Sequence, residues 1–457
     1  MLRIAAAACL GLVAAGCATL PDTEFVTERY ATQSARFESA RGPIGAKRSA
    51  AIVAELKRRS GDLDILDRQI ALEQQIGGSP LVVGNKVVLL QDGPETYRAM
   101  LAAIGAAKDH VNLESYIFED GELGQRFADL LLERQAHGVQ VNILYDSVGA
   151  YDTAPAFFER FRQAGIQVVE FNPLNPLAPG KAWAPNHRDH RKLLVVDGRT
   201  AILGGVNISS VYATGSGVRQ RDARAGDSEG WRDTDVRIEG PVVADYQRLF
   251  MATWEKQRGP PLAGRSYFPA LQPQGTELVR AIGSTPDDEY SLIYLTLISA
   301  IADAQKQVQI VNAYFVPDPQ LVRVLLEAAA RGVDVRIILP QHSDSGMAYH
   351  AGRSHFSQLL AGGVKIYERR GALLHAKSAV VDGVWSCVGS SNLDWRSALD
   401  NDEVNAVIVG RDFARQMQAS FVLDIAASDE IDLATWQRRA LVLRMKEWAA
   451  QLWARLL

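Results

Sequence analysis

Apolar positions along this chain fall into two alternating patterns: short continuous runs of strand length, and longer stretches with helical spacing. Val87–Leu90 is such a run, and Pro94–Ala107 has the spacing of an amphipathic helix. Val111–Phe118 then reads as a strand, Leu123–Gln135 as a helix, and Val139–Tyr145 as a strand entered through Gly138. Pro155–Ala164 reads as a helix, and Ile166–Phe171 as a strand entered through Gly165. Alternation of this kind predicts an α/β fold with a layered sheet. The order then starts again. Leu292–Ala304, Leu321–Arg331 and His355–Ala361 read as helices; Val308–Val316, Val333–Leu339 and Val364–Tyr367 read as strands. Setting Tyr116 on Tyr314, Gly138 on Gly332 and Gly165 on Gly363 keeps every element in register. This predicts an internally duplicated domain, with one lobe over 81–265 and the other over 275–457.

The flanks read differently. Thr19–Gly45 is polar and irregular, a tether, and Ala46–Gln75 has the composition of one or two helices, so 18–80 is read as a tether and helical N-terminal segment. Leu441, Met445, Trp448, Leu452 and Leu456 recur at helical spacing near the C-terminus. That stripe either packs on the second lobe or meets a bilayer interface, with Trp448 and Trp453 as anchors. At the other end, Arg3 precedes the apolar run Ile4–Val13 and then Ala14-Ala15-Gly16-Cys17. This resembles a bacterial lipoprotein signal ending at a lipobox, so 1–17 is expected to be removed up to Cys17, which would carry the lipid. The apolar run is too short for an ordinary membrane-spanning helix. Ala18 in place of Asp points to the outer membrane, with the chain lipid-anchored in the cell envelope and facing the periplasm.

Composition narrows the partners. The net charge of −4 leans against a nucleic-acid partner, which calls for a basic footprint. The three cysteines, Cys9, Cys17 and Cys387, lack metal or disulfide spacing, and Cys387 in an apolar run reads as a small buried hydrophobe. No phosphate loop, nucleophile elbow or zinc pattern is present, so neither cofactor nor metal is expected.

The chemistry lies in a repeated motif. His190-Arg-Lys192 runs through an apolar stretch to Asp197, and His375-Ala-Lys377 runs likewise to Asp382. In a strand, residues two apart share a face, so each His and its Lys point into one space. Asp197-Gly198 and Asp382-Gly383 are hairpin turn signals. Gly204-Gly205-Val206-Asn207 follows the first motif and Gly389-Ser390-Ser391-Asn392 the second. Two such hairpins brought together on a pseudo-two-fold axis would gather two imidazoles and two ammoniums around one phosphodiester.

These residues resemble the phospholipase D superfamily. Gly230–Gly240, Ser391–Ser397 and Asn401-Asp402-Glu403 narrow the likeness to the bacterial cardiolipin synthases, over about residues 80–457. The resemblance implies a duplicated phospholipase D fold: two similar mixed-sheet lobes flanked by helices, with one active site at their pseudo-two-fold interface. It implies phosphatidyl transfer through a phosphohistidine, joining two phosphatidylglycerols into cardiolipin with release of glycerol. Lys192 and Lys377 would neutralise the phosphoryl oxygens, and Asn207 and Asn392 would donate further hydrogen bonds. The family places the nucleophile at the first His, hence His190, with His375 as general acid. Asp197 and Asp382 complete the catalytic signature, although their turn positions fit a structural role equally well. Aligning Gly240 with Gly410 sets Asp233 against Glu403, and the family's imidazole-orienting acids are carried to these two. Glu114 and Asn312 align and are expected to line the cleft beside Tyr116 and Tyr314. His187, His342 and His355 have no twin in the other copy and read as ordinary. Between the first motif and Trp231 only the first copy inserts Ser209–Gly230, and the Pro/Trp-rich run Pro173–Pro185 precedes His190. Both are candidates for shaping the site mouth. The expected partners are a phospholipid and a membrane surface. A monomer would suffice, since the duplication supplies both half-sites. The rival readings are a hydrolytic phospholipase D or nuclease-like phosphodiesterase of the same superfamily, and an inactive lipid-binding scaffold.

Overall fold

The computed structural model describes residues 36–61, 63–66, 79–175, 184–216 and 230–457, with Leu20 and Ile70 besides. The signal with Cys17, residues 176–183 of the Pro/Trp run and residues 217–229 of the insertion lie outside the described residues.

Each lobe is one mixed sheet, and the two sheets have the same strand order. In the first, Gln167–Phe171, Gln140–Asp146 and His110–Ser115 run parallel. Antiparallel strands Lys192–Val196, Thr200–Gly204, Thr234–Glu239 and Leu81–Gln91 then follow in turn. In the second, Lys365–Arg369, Asp334–Pro340 and Gln307–Asn312 are the parallel set. Lys377–Val381, Trp385–Gly389, Asn401–Val409 and Glu277–Ser284 are the antiparallel one. The last strands of the two sheets also pair with each other, antiparallel.

Local chemistry accounts for the repeat. Gly138 (φ 86°) and Gly332 (φ 88°) end equivalent helices in the left-handed region, which only glycine enters without cost. Asp197 (φ 51°) with Gly198 (φ 59°), and Asp382 (φ 53°) with Gly383 (φ 65°), form the two-residue turns with both φ positive that a hairpin favours. The turns put Lys192–Val196 and Lys377–Val381 back to back with their return strands. Both apolar runs are almost wholly buried, as expected of strands covered on two faces.

Helices Val243–Lys256 and Arg411–Ala426 contribute to a core shared by the two lobes. Phe250 and Trp254 from the first meet Val380, Val388 and Ile408 from the second lobe's sheet, together with Phe413 and Met417. Burying each such side chain contributes roughly 1.5–3 kcal/mol. The lobes are therefore welded through apolar surface, and what their loops hold between them is held rigidly. Cys387 is buried in the second lobe's core, as a small hydrophobe would be.

The C-terminal stripe does not pack inward. Leu441, Met445, Trp448, Leu452 and Leu456 are exposed, and helix Leu441–Gln451 buries Glu447 and Ala450 instead. The spacing predicted the helix, but the face with the smaller side chains is the one that fits closely against the second lobe.

Candidate active site

The two motif histidines are set in place by short backbone ladders that cross between the lobes. Arg188–Asp189 pairs parallel with Asn401–Asp402, and the His190 N–H donates to the Asp402 carbonyl at 2.9 Å. The other half mirrors this. The Arg232 N–H donates to Leu373 O at 2.8 Å, and the His375 N–H donates to Arg232 O at 2.7 Å. Each His is thereby registered on the residue just before the acid of the opposite lobe.

The side chains follow the ladders. His190 Nδ1 lies 3.0 and 3.2 Å from the two Glu403 oxygens. His375 Nδ1 lies 2.7 Å from Asp233 Oδ2. Asp233 and Glu403 thus each orient an imidazole, but across the interface and not within their own copy. A carboxylate on Nδ1 fixes the ring tautomer and leaves Nε2 for chemistry. The copies differ behind the acids. A Cβ at Gly205 would come within 2.2 Å of Asp233 Oδ1, so glycine there admits the acid. The equivalent Ser390 instead donates its hydroxyl to Glu403.

Lys192 Nζ lies 2.6 Å from His190 O and 5.1 Å from the Tyr116 ring centre. Lys377 Nζ lies 2.9 Å from His375 Nδ1 and 6.0 Å from the Tyr314 ring centre. Burial pulls Lys192 down to about 7 and Lys377 to about 8. Burial lowers His190 to about 4, with Glu403 opposing and Lys192 reinforcing, and takes His375 well below its usual range, reinforced by Lys377. Burial raises Asp233, whereas at Glu403 the opposing pull of His190 and Lys192 wins and the carboxyl is lowered. Burial therefore favours neutral imidazoles here, among ammoniums whose charge is easily lost. An anionic phosphodiester would favour the charged form of every one of these bases.

Both histidines open into one cleft. Asn207 and Asn392 line it as well. Asn207 also accepts from the Ile117 N–H at 3.1 Å and donates to the Tyr212 hydroxyl at 3.2 Å, so it braces the wall it belongs to.

Two expectations need correction. Asp197 and Asp382 stand at the far ends of their strands, roughly 16 Å from the lysines at about 3.3 Å per residue. The Asp197 carboxylate accepts from the backbone N–H groups of Lys108, Asp109 and His110 at 2.8–3.0 Å. Asp382 does the same for Gln305, Lys306 and Gln307 at 2.7–3.0 Å. Both are structural ties from a hairpin to the neighbouring strand. Glu114 and Asn312 do not line the cleft. Glu114 is fully buried behind it, 3.7 Å from Arg191, and Asn312 accepts from the Leu393 N–H at 3.1 Å. His187 Nε2 lies 2.7 Å from Asp402 Oδ1, next to the ladder that seats His190.

Residues that sequence reasoning missed complete the site. Tyr212 is buried, with its hydroxyl 3.1 Å from His375 Nδ1, and it comes from the insertion that only the first copy has. Arg188, Arg396, Leu456 and Leu457 also form part of the cleft wall, with the Arg188 guanidinium turned to Ser147 and the Asn172 and Ala184 carbonyls. The run containing Arg396 was visible as a family motif. Leu456 belonged to the helically spaced C-terminal stripe, but nothing in that spacing tied it to the site, and Tyr212 and Leu457 had no periodic or motif signal.

Paired His-Lys motifs on matched lobes around a single cleft define a phospholipase D-type protein. The comparisons agree. The family model described as "Cardiolipin synthase, PLD-like domain" matches residues 100–215 and 297–425. A cardiolipin synthase of Alkalihalophilus pseudofirmus is 33% identical over 405 residues, covering 88% of this chain and 78% of the relative. One from a Geobacillus species is 34% identical over 393 residues, covering 85% and 76%. Among solved structures, the phosphatidylserine synthase of Haemophilus influenzae superposes with a TM-score of 0.60 at 14% identity, over 84% of this chain and 99% of that one, which shows the shared fold. The chain belongs to the family of phospholipase D-like cardiolipin synthases.

Proposed function

We propose that the chain is a phosphatidyltransferase that makes cardiolipin from two phosphatidylglycerols and releases glycerol. The observation that carries this reading is the single cleft lined by both histidines, each paired behind it with a carboxylate of the other lobe, in a chain of this family. A phosphodiester is anionic, and Lys192 and Lys377 stand where they can neutralise it as it is attacked. His190 Nε2 attacks phosphorus while the bond to the leaving glycerol breaks, and His375 gives that oxygen its proton. The ionised Glu403 stabilises the positive charge that develops on His190. In the second half, a glycerol hydroxyl of another phosphatidylglycerol gives its proton to His375 and attacks phosphorus. The phosphorus–nitrogen bond breaks and His190 is restored. Asn207 and Asn392 border the phosphoryl position. His190 as nucleophile and His375 as acid are assignments of this proposal.

A phospholipid substrate puts the enzyme at a membrane surface. Among the described residues no helix is long and apolar enough to cross a membrane. We propose that a lipid on Cys17 supplies the anchor, at the outer membrane facing the periplasm, supported by the sequence Ala14-Ala15-Gly16-Cys17-Ala18. We further propose that lobes 81–265 and 275–457 act within one chain, as a monomer. Intact-mass measurement of the mature protein checks the lipid on Cys17, and an unmodified Cys17 sinks it.

The deciding experiment supplies phosphatidylglycerol vesicles to the purified enzyme and follows products by mass spectrometry. Cardiolipin in excess of phosphatidic acid is expected. Phosphatidic acid alone would leave a hydrolytic phospholipase D, and cleavage of a nucleic acid with no lipid turnover would leave the nuclease-like rival.

A further inference from the structure

Helix Leu441–Gln451 and the turn Ala454–Leu456 are amphipathic with their sides reversed. The inward side is narrow. Ala450 and Ala454 pack with Val316, Ala348 and Ala351, and the buried Glu447 is neutralised by Arg439 at 2.6 and 3.1 Å. The outward side carries the large apolar groups. Leu441, Trp448 and Leu452 are 69%, 68% and 67% exposed, with Met445, Trp453 and Leu456 beside them. A contiguous stripe of this kind marks an interaction site, because scattered single apolar residues are ordinary on a surface but a helical row of them is not.

Two further observations say what covers it. The face is continuous with the catalytic cleft: Leu456 and Leu457 line the same cavity as His190 and His375, and the Arg396 N–H holds Leu457 O at 3.0 Å. Met347, 52% exposed, extends the apolar surface onto helix Gly346–Arg353, whose Ala348 is also on the cleft wall. The face is also basic. Arg438, Arg444, Lys446 and Arg455 are exposed around it, while Glu447, the one acid over residues 438–457, is buried and paired. Apolar residues with tryptophans on one side and cations at the margin are the chemistry of a helix lying in the interface of an anionic bilayer.

We propose that this C-terminal face docks the chain on an anionic phospholipid bilayer, with Leu441, Met445, Trp448, Leu452 and Leu456 inserted between headgroups. The inference rests on the reading of the substrate as a membrane phospholipid. It adds which surface meets the membrane, and why the cleft mouth comes to lie against it. A lipid can then bring its headgroup to the histidines while its acyl chains stay in the bilayer. A second copy seated on the same face would cover the cleft mouth.

The test uses the full chain carrying Cys17→Ser, so that a lipid anchor does not mask the effect, with and without Met445→Glu, Trp448→Glu and Leu452→Glu together. These positions are exposed and outside the cleft, so an unchanged thermal midpoint is expected and shows that the fold is kept. Co-flotation with phosphatidylglycerol vesicles should fall on the order of tenfold or more in the triple variant. Turnover of a short-chain phosphatidylglycerol kept below its micelle concentration should be unchanged, whereas turnover in vesicles should fall with binding. Equal flotation of both proteins would overturn the proposal. So would a parent that is a dimer and a variant that is a monomer with vesicle binding unaltered, since the occupant would then be a second copy. If neither protein turns over any phosphatidylglycerol, the substrate reading fails, while flotation still decides the docking face.

Discussion

Asp233 of the first lobe lies 2.7 Å from the imidazole of His375 in the second, and this contact spans 142 positions of sequence. Its counterpart, Glu403 to His190, spans 213. Neither half of the duplication holds a complete His–carboxylate pair, so each lobe supplies the acid that the other lobe's base needs.

Crossed pairing makes a directional prediction. In a His375→Ala background, a donor with a good leaving group should trap a phosphoryl group on His190. Adding Glu403→Gln should reduce that label sharply, and adding Asp233→Asn should leave it nearly unchanged. In the otherwise intact enzyme each acid substitution should cost about 100-fold or more in turnover, since the imidazole loses its fixed tautomer. Label that responds to Asp233→Asn and ignores Glu403→Gln would reverse the assignment.

The histidines should behave as one unit. His190→Ala and His375→Ala should each abolish steady-state turnover of phosphatidylglycerol, with the double variant no worse than either single one. Near-normal turnover in either single variant would end the shared-site reading.

Lysine charge sets the alkaline limb. Lys192, lowered to about 7, and Lys377, lowered to about 8, are ammoniums below those values and lose their charge as pH rises through them. The free enzyme should therefore lose kcat/KM over about pH 7 to 8. A bound anionic diester raises both lysines, so kcat should hold to higher pH and the loss should appear mainly in KM. Profiles on a soluble short-chain phosphatidylglycerol from about pH 6 to 9 test this, and a kcat/KM that climbs through that window contradicts it. Turnover at about pH 7 should also survive exhaustive EDTA treatment, because the two ammoniums supply the positive charge.

Asp197 and Asp382 should matter for stability and little for chemistry. Replacing either by Ala removes an acceptor from a set of backbone N–H groups and places a Cβ residue without a turn-forming side chain at positive φ. A loss on the order of 1–3 kcal/mol each is expected, read as a lower urea midpoint. Turnover per folded molecule should stay within a few-fold of the parent. A large fall in kcat with an unchanged midpoint would return these residues to the catalytic set.

The sequence alone determined most of what depends on near neighbours, although Phe37–Ser39, within the stretch read as a tether, is a strand paired with Leu81–Val82. Strand and helix periods predicted the order of elements in both lobes. Asp-Gly pairs predicted the hairpins, because few residue pairs accept two positive φ angles in succession. The matched motifs predicted that four basic groups would meet; the alignment set Asp233 against Glu403, and the family resemblance supplied their reading as the orienting acids. Tertiary structure alone decided which acid serves which His, because that depends on ladders between Arg188–Asp189 and Asn401–Asp402 and between Arg232 and Leu373–His375, segments remote in the chain. It moved Asp197 and Asp382 out of the chemistry, since a strand's length carries its far end away from the cleft. It brought in Tyr212, whose loop has no periodicity to read. It also turned the C-terminal stripe outward. Helical spacing shows that a helix has two faces, but which face finds a partner is settled by fit, and here Ala450 and Ala454 pack closely where leucine and tryptophan would not.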